Sequence, residues 1–263
     1  SENQLDNGLI PYYMPDLLIT NALVYDGSGA EPAVQDVAVQ HGRITAIGPR
    51  LSASAHQVVD ADGLALMPGV IDSHTHFDAQ ITWDPYVSPS PALGVTTAVI
   101  GNCGFTIAPC KPGDREITMR NLTQVEGMSL EVLRQGINWG FETFAQYLAQ
   151  LRGRGSVVNI AAYVGHSSLR TYVMGKDASA RAATAREIAH MQEIVREAMR
   201  AGAVGFASST SPAHNGAGGL PMPSRLADDR EMAALVNAMG ESGRGVYMLT
   251  KGGHTSVSFL ESL

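Results

Sequence analysis

The feature that most constrains this chain is a series of short apolar strands that alternates with amphipathic helices from Gly69 onward. Strand-like segments occupy Gly69–Ser73, Val95–Ile100, Val157–Val164, Ala203–Ala207 and Val246–Thr250. Each is almost continuously apolar, as strands of a parallel sheet covered on both faces are. Two helices separate the last three. One opens with Thr184 and Glu187, a capping box, places Ile188, Met191, Val195 and Met199 on one stripe, and stops at Gly202. The other opens at Asp228, with Glu231 three residues on, and buries Met232, Leu235, Val236 and Met239. This alternation predicts an α/β chain carrying the N-terminal part of a (β/α)8 TIM-type barrel, whose chemistry sits at the C-terminal strand ends. Five strands leave an open apolar edge. The expectation is therefore either a shortened chain or one piece of a split enzyme whose second chain completes the barrel.

Residues 1–67 follow a different pattern. Asp16–Tyr25, Val34–Val39, Arg43–Ile47, Val58–Asp60 and Leu64–Met67 read as strands, with Asp26-Gly27-Ser28-Gly29 and His41-Gly42 as turns. They predict a small antiparallel sheet module, followed by the barrel portion over residues 68–263. Within the barrel portion, residues 105–155 exceed what a strand-to-helix connection needs. Helix-like pieces lie near Ser129–Gln135 and Glu142–Leu151, with Trp139, Phe141, Phe144 and Tyr147 among them. Such an insertion is either a lid over the substrate or a structural cover for the barrel mouth.

Composition removes several functions. The chain has 263 residues, 44% apolar and 16% charged, which suits a folded globular protein. Its net charge of −7, from 18 basic and 25 acidic residues, includes no basic cluster for nucleic acid or an anionic membrane. No apolar run approaches membrane-spanning length, and the polar stretch Ser1–Asp16 lacks a signal pattern. Cys103 and Cys110 are the two cysteines, too few for a disulfide framework, so cytoplasm is the expected compartment.

Two motifs carry chemistry. In Met67-Pro68-Gly69-Val70-Ile71-Asp72-Ser73-His74-Thr75-His76, the two histidines stand two residues apart at the end of a buried strand. Residues so spaced project to one face and can grip one metal ion; the alternative is a pair of ordinary loop-edge histidines. In Gly94–Gly104, Cys103 follows a second buried strand between glycines that permit a sharp turn. Thiolate and imidazole together suit Zn²⁺, whereas a lone cysteine is more commonly buried and inert. Cys110 takes the inert reading.

The succession PGVIDSHTHFD, GVTTAVIGNCGFTIAP, VEGM, VNIAAYVGHSSLR and AGAVGFASS resembles the amidohydrolase superfamily, in its N-acyl-D-amino-acid deacylase (D-aminoacylase) branch. The His-x-His is widespread there, and the cysteine of GNCG narrows the branch. The resemblance spans about Asp16 to Tyr247. It implies a metal-bearing barrel beside a small β-sandwich, with His74, His76 and Cys103 as ligands of one or two zinc ions. It also implies histidines at the ends of strands five and six and an aspartate after strand eight. This sequence departs from that pattern at strand five, where Thr250 stands at the expected ligand position. Lys251 beside it is read as meeting a substrate carboxylate, bridging as a carbamate, or lying at the cleft edge, and His254 as a substitute ligand only if its loop folds back.

Other polar residues are candidates with alternatives. His166 orients substrate or is a hydrogen-bonded structural histidine. His214, with Ser208-Ser209-Thr210, contacts substrate or sits in a solvated loop. Glu126 reaches the metal or marks a helix N-terminus, and Asp72 supports the histidine pair or ends its strand. The implied function is metal-dependent hydrolysis of a linear amide, an N-acyl-D-amino acid first. The alternatives are another amide or cyclic amide amidohydrolase, or a non-catalytic subunit of a split one. The implied partners are a small-molecule amide and further chains in an oligomer, with neither nucleic acid nor membrane.

Overall fold

Alternating side chains make the first sheet. The structure is a computed structural model that describes residues 14–51 and 54–263; most of the polar stretch Ser1–Asp16 lies outside the described residues. Strands β1 (Leu17–Val24), β2 (Ala33–Gln40), β3 (Arg43–Gly48), β4 (Gln57–Asp60) and β5 (Ala65–Leu66) form one sheet in the order β3-β2-β1-β4, with β5 also on β1. His41 and Gly42, both at positive φ (50° and 70°), turn β2 into β3. Ala22, Val24 and Val37 are its buried core. The module is mixed rather than antiparallel, because β4 and β5 run parallel to β1. Alternation reports a strand's two faces and not its direction. The direction is held by Asn21, at φ 55°, whose side chain donates to Asp60 Oδ1 (3.0 Å) while its N–H donates to Asp36 Oδ1 (3.0 Å).

The contacts divide the chain at Gly69/Val70 into two compact units. In the second, β6 (Val70–Asp72), β7 (Val95–Ile100), β8 (Asn159–Gly165), β9 (Gly205–Ser209) and β10 (Val246–Thr250) pair in sequence order, all parallel. The sheet curls as half of a barrel does. β8 and β9 lie further along the chain than their apolar runs suggest. Val157 is exposed, while Ser208 and Ser209 are fully buried in β9, so the strand core includes hydroxyls.

Seven helices occur among the described residues: α1 (Arg115–Val125), α2 (Leu130–Gly136), α3 (Phe144–Arg154), α4 (His166–Met174), α5 (Ala185–Ala201), α6 (Asp229–Gly240) and α7 (Val257–Glu261). The four legible in sequence, α2, α3, α5 and α6, begin at Ser129, Thr143, Thr184 and Asp228, each accepting a backbone N–H in its first turn. The two longer ones that sequence reading missed, α1 and α4, have no side-chain cap. The aromatic residues of the insertion serve the core. Phe141, Phe144 and Tyr147 are buried, with Phe141 and Tyr147 edge to face at 5.1 Å. No helix among the described residues is long and apolar enough to cross a membrane.

Because Thr184 both accepts from the Glu187 N–H and receives its carboxylate in return, Thr184→Ala is expected to lower the unfolding free energy by about 1 kcal/mol. Urea denaturation, with an unchanged slope, checks it.

Candidate metal centre

The parallel pairing of β6 with β7 brings the two motifs to one edge. Ile71 pairs with Thr97 and Asp72 with Ala98, so the loops after both strands leave the sheet side by side. Thr75 then holds Val99 O through its N–H (3.1 Å) and hydroxyl (2.7 Å). The buried Asn102 amide donates to Thr75 O (3.1 Å) and Val99 O (2.9 Å). Asp72 Oδ1 accepts the His74 N–H at 3.3 Å, supporting the pair through the backbone. The result is that ligand atoms of His74, His76 and Cys103 all lie within 4.8 Å of one another. His74 Nε2 is 3.4 Å from Cys103 Sγ, and the two imidazole rings stand 5.2 Å apart.

Cys103 reaches this position by a backbone that only its neighbours permit. It sits at φ 57° between Gly101 (φ 84°) and Gly104 (φ 76°). A Cβ at Gly101 would lie 2.5 Å from Tyr163 O, and one at Gly104 would lie 2.8 Å from Ala207 O. The turn therefore nests against β8 and β9. From β10, two residues on one face meet it: the Cys103 N–H points to Met248 Sδ (3.3 Å), and the Thr250 hydroxyl donates to Cys103 Sγ (3.2 Å). Thr250 thus supports the thiol at the position where the resemblance implies a ligand.

Glu126 is the carboxylate at the centre. It lies at the C-terminal end of α1, not at a helix N-terminus, and its Oε1 is 3.0 Å from His76 Nδ1. Burial opposes charge on His76, but Cys103 and Glu126 outweigh it and raise its pKa from 6.5 to about 10. Burial, then His76, hold His74 below 6.5. Asp78 is fully buried, which raises its carboxyl to about 7 against the pull of the Gly101 N–H that it accepts at 2.9 Å. His214 adjoins the centre through Phe105, whose ring meets it edge to face at 4.8 Å, and its Nδ1 is 2.7 Å from Ser209 Oγ. Burial is the main cause that keeps His214 below 6.5.

The other candidates lie outside the converging group. His166 is fully buried; its Nδ1 meets Ser208 Oγ (2.8 Å) and its Nε2 meets Glu231 Oε1 (2.9 Å), while Glu231 also pairs with buried Arg170. Both ring nitrogens of His166 are engaged, and these contacts tie α4 to β9 and α6. Lys251 is exposed beyond β10, with Nζ 3.4 Å from Gly252 O. His254 is exposed and outside the converging group. Cys110 is buried against Thr118, its thiol pushed up to about 11.

A model of the amidohydrolase family matches residues 57–262. This chain belongs to the amidohydrolase family. Among curated relatives, D-aminoacylase of Alcaligenes xylosoxydans xylosoxydans is 40% identical over 193 residues, 73% of this chain and 37% of that protein. A solved D-aminoacylase superposes with a TM-score of 0.73 at 33% identity, covering 94% of this chain and 48% of its own. An N-acyl-D-glutamate deacylase from Bordetella bronchiseptica, solved with zinc and a phosphonate mimic of the tetrahedral intermediate, gives 0.72 at 33%, covering 90% and 45%. The chain spans less than half the length of these relatives.

The buried network sets an acid response for this amidohydrolase-family chain. Burial holds His166 below 6.5, while His166 and Arg170 overcome burial to hold Glu231 below 4.5. Both groups bind protons more readily when unfolded, so the stability they contribute is full above about pH 6.5 and falls on acidification. Glu231→Gln leaves Arg170 without its buried counter-charge. It is expected to cost about 3–5 kcal/mol in urea unfolding at pH 7 and to weaken the decline below pH 4.5.

Proposed function

We propose that this chain forms the metal-binding face of a zinc-dependent amidohydrolase that hydrolyses a linear amide, with N-acyl-D-amino acids as the substrate class. The observation that carries this is the convergence of His74, His76 and Cys103 within 4.8 Å. The donor set fits zinc, because two imidazoles and a thiolate are ligands that Zn²⁺ prefers over carbonyl-rich sets. His74, His76 and Cys103 would hold such an ion, which would supply Lewis-acid activation of water at neutral pH.

The chain's own residues then divide the work. Thr250 and Met248 hold Cys103 in its strained turn, the hydroxyl donating toward sulfur. His214, whose pKa burial lowers and whose Nδ1 meets Ser209 Oγ, is the histidine beside the centre assigned to substrate contact. Lys251, exposed beyond β10, supplies the positive charge for the carboxylate that an N-acyl amino acid carries. The resemblance gives proton transfer to an aspartate after strand eight, and no described residue takes that role. Thr250 in place of a ligand favours one firmly held ion over two. The two cysteines, both unpaired, support a cytoplasmic setting.

The test is a substrate panel with the intact zinc-loaded assembly containing this chain: N-acetyl-D-amino acids, their L forms, and a hydantoin. Free D-amino acid should be released in preference to L, and a chelator should abolish release. Turnover of the cyclic amide alone would move the assignment to a cyclic amidohydrolase; metal binding without turnover would make the chain a non-catalytic subunit. Cys103→Ala should weaken zinc binding by more than tenfold in chelator competition, about the least that loss of a mere supporting residue costs.

A further inference from the structure

Glu126 occupies a place that its own helix disfavours. It ends α1, where the helix dipole repels a negative charge, and its side chain is only 10% exposed. Among the described residues, His76 is its ion-pair partner, at 3.0 Å. The backbone is arranged to keep it there. The Glu126 N–H closes the last turn on Leu122 O (2.8 Å), and Gly127, at φ 67°, turns the chain away. Met119 and Leu122 seat α1 in the core, and Asn121 Oδ1 accepts the Ala217 N–H (2.9 Å). The carboxylate thus sits buried at a helix C-terminus with the His76 imidazole facing it.

We propose that Glu126 is a positioning residue for the metal. Its Oε1 lies 3.0 Å from His76 Nδ1, a buried nitrogen that makes no hydrogen bond of its own; with the ring turned toward the carboxylate as the metal binds, Glu126 takes the Nδ1–H, fixes that tautomer and leaves Nε2 as the nitrogen that faces the ion. The insertion at 105–155 thereby acts on the centre through one carboxylate. This inference rests on the metal-binding reading above.

Zinc affinity of the intact assembly, measured by chelator competition for the parent, Glu126→Gln and Glu126→Ala, tests it together with ¹⁵N spectra of the histidine rings. The parent should bind zinc with His76 protonated at Nδ1. Glu126→Ala should bind about 10–100-fold more weakly and lose the single tautomer. Glu126→Gln, whose amide oxygen still accepts Nδ1–H, should recover most of the affinity, which a merely structural loss would not show. Equal zinc affinity in parent and Glu126→Ala, or a glutamine variant as weak as alanine, overturns the proposal and leaves the metal reading standing. A parent that binds no zinc overturns both.

Discussion

The side-by-side exit of β6 and β7 is the constraint on which the centre depends. Neither loop could present a ligand set alone: one carries two imidazoles and the other a single sulfur. The Asn102 amide, bonded to Thr75 O and Val99 O, closes the gap between them. Because the Asn102 side chain is fully buried, losing these partners would be costly. A displacement of one residue in the β6–β7 register would turn every side chain to the opposite face and separate the three groups.

Around this seam, each neighbouring strand adds one support. β8 and β9 present carbonyls so close to Gly101 and Gly104 that no side chain fits there. β10 sends Met248 and Thr250, two apart, to the amide and sulfur of Cys103. The His166–Glu231–Arg170 cluster stands behind the same turn and fixes α4 and α6 against β9. Polar groups are therefore spent in two ways in this unit. Those at the strand ends shape the centre, and those beneath hold the elements that carry it.

That His74, His76 and Cys103 could converge was legible because local spacing at strand ends sets where their side chains stand. The four longer helices with polar caps were legible for a similar reason, since Ser129, Thr143, Thr184 and Asp228 each satisfy an N–H a few residues away; the five-residue α7, capped by Ser256, was too short to show a period. α1 and α4 have no such signature, and with α1 the position of Glu126 was lost as well. His166 follows a strand as a cleft residue would, yet its surroundings come from residues 42 and 65 positions later. Only the Glu-Gly pair at 126–127, a charged residue before a left-handed glycine, hinted that the carboxylate ends its helix.

Sequence alone determined the parallel βα order, the metal-type donor residues and the family, because periodicity, caps and short motifs are properties of neighbours along the chain. Tertiary structure decided which carboxylate meets His76, that Thr250 supports a thiol, that His166 is buried, and that the first sheet is mixed. Those outcomes depend on contacts between residues far apart in the chain, and no local spacing encodes them.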